Sequence, residues 1–247
     1  MILVGTNRNC GGGKTYWNTF VTCEEYDPSG QVYEVNPFVG IQSQRYEPTV
    51  IGGSGGNYES FAYDNRDRYH PTFYVTNDDS NGSLVRFTPN KKVVATAEKT
   101  GDYSKVLYTM GEINHLQLHP ERGRREDTRG TFSWTTSRKV GDNNASKFYK
   151  NAEGIDIRNG LLYFTTKKSK SLFILDLDNQ SYERSSTVNG SFDGQPDQVA
   201  RLIGENNQED LLYFGEEASN SNGIHARDFN GQFFTILTST IKSETTG

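Results

Sequence analysis

What this 247-residue chain has little of narrows it first. It has no basic surplus: 26 Lys and Arg stand against 31 Asp and Glu, a formal net charge of −5. That balance argues against a general nucleic-acid binder, which needs cations to neutralise phosphates. Long hydrophobic runs are missing too. Apolar stretches reach only about four residues and the mean hydropathy is −0.75, so nothing in the sequence reads as a bilayer span. No basic–apolar–small pattern opens the chain, so no signal peptide is read in it. Cysteine is reduced to Cys10 and Cys23. Two cysteines rule out a disulfide scaffold and leave pairing, metal ligation and free thiols all open. Helical periodicity is scarce; the longest helix-tolerant stretch, roughly 143–152, is short and polar.

What the chain does have is aromatic and turn-forming. Fourteen Tyr and fourteen Phe argue against disorder, which is aromatic-poor. Twenty-five Gly and 21 Asn tolerate positive φ and favour tight turns. Between the turns lie runs of five or six residues rich in Phe, Tyr, Val, Ile and Thr: 19–23, 72–76, 84–88, 161–166, 172–177, 211–215 and 232–237. They read as strands, and the fold class is all-β. Three segments repeat one grammar. Phe61–Asp64, Thr72–Thr76 and Ser83–Phe87 form the first, Gly154–Ile157, Leu161–Thr165 and Ser171–Asp176 the second, Gln198–Leu202, Leu211–Phe214 and Gly223–Arg227 the third. Tyr163 and Tyr213 sit 50 residues apart, a blade length, so the repeat favours a β-propeller over a β-sandwich.

Several motifs fail on their chemistry. Gly13-Lys14-Thr15 lacks the Gly five residues upstream, where Arg8 stands, and is followed by a strand-like run, so it is not a phosphate loop. Asn77–Gly82 has oxygens at alternate positions, but the twelfth position is Thr88 rather than Glu, and a hairpin turn is expected there. His115 and His119 share a strand face with no third ligand and read as structural or surface residues. The arginines at 122, 124, 125 and 129 are interrupted by Glu126 and Asp127 and read as a solvated insertion. Four Asn-x-Ser sequons occur at the rate chance gives. More informative are acids at comparable strand starts and ends: the Cys23-Glu24-Glu25 cluster, Glu59, Glu153, Asp197, Glu216, Glu217 and Glu244. In a propeller the innermost strands converge on one axis. Acids at matched blade positions would repel there, and a multivalent cation relieves the repulsion. Convergence of Cys23, Glu59, Glu153, Asp197 and Glu217 on one space is therefore expected.

These residues carry a resemblance. The block Asn9-Cys-Gly-Gly-Gly-Lys-Thr-Tyr-Trp-Asn-Thr-Phe-Val-Thr-Cys-Glu-Glu25 is similar to the signature of the PhoX-type alkaline phosphatase family. Glu59–Asp64, Thr76–Asp78, Glu153–Ile155, Pro196–Asp197, Phe214–Glu217 and Ser243–Gly247 resemble the family's later steps, in order, over essentially the whole chain. The resemblance implies a single β-propeller domain over 1–247, incomplete at both ends and lacking a closing blade after 247. It implies iron and calcium on the axis, hydrolysis of phosphate monoesters, a monomer, and an extracellular or periplasmic location. Cys23 would hold iron, with Glu24, Glu59, Glu153, Asp197, Glu217 and Glu244 completing the metal shells. Asn9 would donate to a phosphate oxygen, and Lys14 or Lys150 would supply a further cation. Asn18, Tyr58, Asn77 and Asn151 depart from the family's residues; Asn151 stands where an Arg helps bind phosphate. Two other readings stay open: a non-catalytic, metal-stabilised binding propeller, and a calcium-dependent lactonase-type hydrolase, to which Asp193–Asp197 is similar.

Overall fold

The structure is a computed structural model and describes residues 4–188, 192–202, 204, 209–217 and 222–239. It is a β-propeller, with four blades among the described residues. The first comprises β1 (Asn9–Lys14), β2 (Phe20–Gly30) and β3 (Val32–Val35); the second β4 (Gly56–Asp64), β5 (Thr72–Asn77), β6 (Val85–Thr88) and β7 (Glu112–Pro120), with β8 (Arg129–Thr135) outside it. The third is β9 (Ala152–Arg158), β10 (Leu161–Thr166), β11 (Ser171–Asp176) and β12 (Ser181–Ser186), and the fourth β13 (Gln195–Leu202), β14 (Leu211–Glu217), β15 (Asn222–Arg227) and β16 (Phe233–Ser239). Each blade is an antiparallel meander. The first three are stitched into one sheet because β2 also pairs β4 and β8 pairs both β7 and β12; the fourth blade is a separate four-stranded sheet.

Alternation explains the packing. In β10 the run Leu-Tyr-Phe sends Leu162 and Phe164 into one core, with Phe173, Leu175 and Tyr182 of the neighbouring strands. Tyr163 faces the other way, toward Leu172, Leu212 and Phe214 of the third and fourth blades. Side chains of this size contribute about 1.5–3 kcal/mol each when fully buried. The first and second blades share a further core around Phe61, Phe73, Val85 and Phe87.

Two helices depart from the expected all-strand pattern. Helix α1 (Lys91–Thr100) starts where the Asn90 side chain accepts from the Lys92 N–H and stops at Gly101, whose φ is 76°; both are ordinary cap chemistry. Helix α2 (Arg138–Phe148) begins earlier than the helix-tolerant stretch suggested and ends before residue 152. It docks on β7, where the Asn144 side chain accepts from the Leu118 N–H at 2.8 Å and donates to its carbonyl at 3.0 Å. Buried His115 belongs to the same joint: its Nδ1 is 2.8 Å from Ser83 Oγ, which donates to Asp142 at 2.7 Å. His119 is exposed, against Ser133. The segment 1–5, which reads as strand interior, has Val4 and Gly5 outside any strand; residues 1–3 lie outside the described set.

Candidate metal centre

The innermost strands β1, β4, β9 and β13 all carry the same irregularity. Three steps along the inner strand match two along its neighbour between Asn9 and Gly12, Tyr58 and Phe61, Ala152 and Ile155, and Pro196 and Val199. Each is a one-residue bulge, a device that re-aims side chains. The bulged pairs are Cys10-Gly11, Glu59-Ser60, Glu153-Gly154 and Asp197-Gln198. The propeller therefore presents one thiol and three carboxylates from equivalent positions. At two of the four bulges the residue that follows is glycine, which permits the strands to meet. A Cβ on Gly11 would lie 2.6 Å from the Glu59 carbonyl oxygen, and one on Gly154 would lie 2.2 Å from the Val199 nitrogen.

Glu59, Glu153 and Asp197 are buried, and each offers a carboxylate oxygen within 4.8 Å of the other two; Cys10, Glu25 and Glu59 form a second such group. Cys10 donates to Glu59 Oε1 at 2.9 Å, and Gln198 Nε2 donates to the same oxygen at 2.6 Å, while Ser60 Oγ donates to Gln198 Oε1 at 2.7 Å. Burial pushes Glu59 up to about 7; the Cys10 hydrogen bond and the Lys167 charge oppose that rise, and Glu25 and Asp78 add to it. Glu153 is driven far above the ordinary carboxylate range by burial, then by Asp78, against the pull of Lys167.

A second set of equivalent positions lies beside the first, on or just past the second strand of each blade, one residue beyond the partner of the residue that precedes each bulged pair. Three are acids, Glu25, Asp78 and Glu217; the fourth is Lys167. Its Nζ lies 3.1 Å from Glu153 Oε1, 3.3 Å from Glu217 and 3.4 Å from Asp78. Burial alone would lower the ammonium, but Glu153, Asp78 and Asp197 outweigh it and keep the amine charged. Apart from this ion pair, both oxygens of the Glu153 carboxylate lack a hydrogen bond among the described residues.

The expected site residues are distributed unevenly over this geometry. Glu59, Glu153 and Asp197 come together, and Glu217 joins them through Lys167. Cys23 is fully buried in the apolar cluster with Val21, Val32 and Ile51. It lies on the second strand opposite the first bulge, where the second and third blades carry Thr76 and Thr165. The thiol that meets the carboxylates is Cys10, and both cysteines are free. Glu24 is a clasp: its carboxylate accepts from the Asn7 N–H at 2.6 Å and the Gln31 N–H at 2.9 Å. Asn9 donates to Thr22 Oγ1 at 2.8 Å. Lys14 ends β1 and lines a cavity of about 760 Å³ at the other end of the inner strands, so it is not beside the carboxylates. Lys150, half-buried, precedes Glu153 by three residues. Glu244 lies outside the described residues. Asn151, at φ 56°, donates to Asp78 Oδ1 at 2.8 Å. Cys10 and Lys167 are the members that sequence reasoning missed.

The donor set fits cations. Three buried carboxylates, one of them held among the described residues only by the Lys167 ion pair, supply hard oxygens of the kind calcium takes. Cys10 beside Glu25 and Glu59 adds one soft ligand, suited to a transition metal. Its thiol is raised by burial first and then by Glu59, so binding a metal there would release a proton.

No family model matches the chain, and neither does any curated protein sequence. Solved structures do. Pseudomonas fluorescens PhoX, determined with the transition-state analogue vanadate, superimposes with a TM-score of 0.70 at 14% identity, covering 98% of this chain and 62% of that one. The extracellular domain of a one-component system from B. thetaiotaomicron gives 0.46 at 8% identity, covering 95% and 22%. The PQQ-bound aldose sugar dehydrogenase of Streptomyces coelicolor gives 0.28 at 12%, covering 87% and 90%. Of these three, the first aligns closely enough to speak to the fold, which is a PhoX-like β-propeller. The chain spans 62% of the PhoX length. No helix among the described residues is long and apolar enough to cross a membrane.

Proposed function

We propose that this propeller is a metal-dependent hydrolase of phosphate monoesters, of the alkaline phosphatase kind, with calcium and iron as its cations. The observation that carries the reading is the delivery of Cys10, Glu59, Glu153 and Asp197 from four equivalent bulges to one axis, with Glu153 held among the described residues only by the Lys167 ion pair. Glu59, Glu153 and Asp197 would hold the hard cation, and Cys10 with Glu25 the softer one. A bound cation would neutralise phosphate oxygens and lower the pKa of water. The chain supplies the remaining parts. Lys167 is a fixed positive charge beside the carboxylates, positioned to meet an anionic substrate. Glu59 and Glu153, both held protonated by burial in the cation-free chain, would release their protons as the cation binds. Gly11 and Gly154 allow the inner strands to approach closely enough to share the site.

The test is metal content by mass spectrometry alongside hydrolysis of an aryl phosphate, with and without chelator, in the wild type and Glu153→Gln. The reading expects bound metal, and activity that both chelator and substitution abolish. Metal without hydrolysis would leave a binding propeller, and turnover of a lactone instead would favour the lactonase-type hydrolase. Protein that binds no cation would overturn the reading. One feature favours a second reading, a non-catalytic propeller: Lys167 already neutralises part of the acidic cluster, as a built-in counter-ion.

A further inference from the structure

Three arginines gather, among carboxylates, at the far ends of the third and fourth blades. Arg158 ends β9, Arg201 is next to last in β13, and Arg227 ends β15. All three line a cavity of about 390 Å³, together with Leu161, Tyr163 and Leu212 and with the carboxylates of Asp176, Glu183, Asp210 and Asp228. At about 3.3 Å per residue, Arg158 lies roughly 16 Å along β9 from Glu153, so this cavity is not the carboxylate site.

The guanidinium groups are only partly matched. Arg158 Nε is 3.0 Å from Asp210. Arg201 is 3.6 Å from Asp210 and 3.7 Å from Asp156, outside good hydrogen-bonding range, and its side chain is 8% exposed. Its guanidinium carbon sits 4.5 Å above the Tyr163 ring. Arg158 Nη1, Arg201 Nε and Nη2, and Arg227 Nε are buried with no acceptor among the described residues. Asp210 is shared between Arg158 and Arg201, and the other lining acids keep their charge but direct their hydrogen bonds elsewhere or act through space. Asp176 accepts from the Asp178 and Asn179 N–H groups, and Asp228 from Gln232. Asp228 and Glu183 influence Arg227 through space, without a hydrogen bond to Nε. Buried donors in folded proteins are nearly always paired, and arginine cannot escape by losing its proton.

We propose that this cavity binds a small organic anion, its oxygens among the three guanidinium groups and its apolar body against Tyr163, Leu161 and Leu212. Guanidinium forks match the paired oxygens of a carboxylate or a phosphoryl group, and the apolar walls select a ligand with a hydrophobic part. The carboxylate site plays no part in this proposal.

Calorimetric titration of the full chain at low salt with benzoate, phenyl phosphate and neutral benzamide tests it. The same titrations on Glu153→Gln remove any phosphate bound at the axial carboxylates. Saturable binding of an anion and none of benzamide is expected. Tighter binding of benzoate would identify a carboxylate ligand, and tighter binding of phenyl phosphate a phosphoryl one. Arg227→Gln should weaken the anion at least ~10-fold, as losing one charge-assisted hydrogen bond does. If that variant fails to fold, Arg201→Lys keeps the charge and loses the fork, and the same weakening is expected. Absence of saturable anion binding, equal binding of benzamide, or unchanged affinity in a folded variant would overturn the proposal.

Discussion

The two ends of the inner strands are built by different means. At the carboxylate end the backbone itself is altered, with one extra residue in each of β1, β4, β9 and β13, so the pattern repeats in every described blade. At the arginine end pairing is regular, and long side chains from only the third and fourth blades reach into one cavity. Backbone irregularity repeated around an axis gives a shared centre; side-chain length across one blade boundary gives a local one. The first tolerates little change in the strands that make it. The second depends on individual residues.

Substitutions should separate the two ends. The largest effect is expected from Gly154→Ala, whose Cβ would meet the Val199 nitrogen at 2.2 Å and the Gln198 backbone at 2.7 Å. Pushing β9 from β13 should cost about 3 kcal/mol, read as a fall in denaturation midpoint, and both ends should suffer. Glu153→Gln should strike the carboxylate end alone. Calcium affinity measured by calorimetry should drop ~100-fold, at or beyond the loss seen when a metal site's supporting residue is removed, while anion binding at the arginines is unchanged.

Acidity supplies a third contrast. Glu59 is raised from 4.5 to about 7 and Glu153 is raised further, so between the ordinary and shifted values the folded chain holds protons that the unfolded chain has released. That contribution to stability is complete below the ordinary carboxylate pKa and is lost as pH rises through the folded value. In chelator, the melting temperature should fall by several degrees from pH 5 to pH 8, and added calcium should flatten the fall; a flat profile in chelator would contradict the burial argument. The smallest effect belongs to Lys167→Gln. Removing an ammonium that competes for Asp78, Glu153 and Glu217 should tighten calcium about tenfold, a gain of ~1.4 kcal/mol. Weaker calcium binding would mean that Lys167 positions the carboxylates instead.

Much of this was legible in the sequence. Glu59, Glu153 and Asp197 precede strands of one grammar, and counting from the Tyr-bearing strands was enough to bring them to matched places. The strand over Leu161–Thr166 falls where its residues predict. Cys10 was not legible because alternation assumes an unbroken pleat, and nothing in a short Cys-Gly pair announces the extra residue that turns its thiol inward. Cys23 drew attention through its neighbouring glutamates and the family resemblance, although it occupies a position where the second and third blades use threonine. Lys167 reads as part of the turn Lys167-Lys168-Ser169-Lys170, and its neighbours in space come from three different blades. Helix α1 carried its signals openly in Asn90 and Gly101, but its polar surface leaves only Val94 and Ala97 buried, too weak a stripe for periodicity to register.

The strand β8 bonds to β7 over six residue pairs and to β12 over three. A segment that closes one blade while edging the next ties their opening together. Releasing either blade exposes amides of both, so hydrogen exchange in β7, β8 and β12 should proceed as one cooperative unit. The fourth blade, sharing no ladder with that sheet among the described residues, is free to exchange on its own schedule.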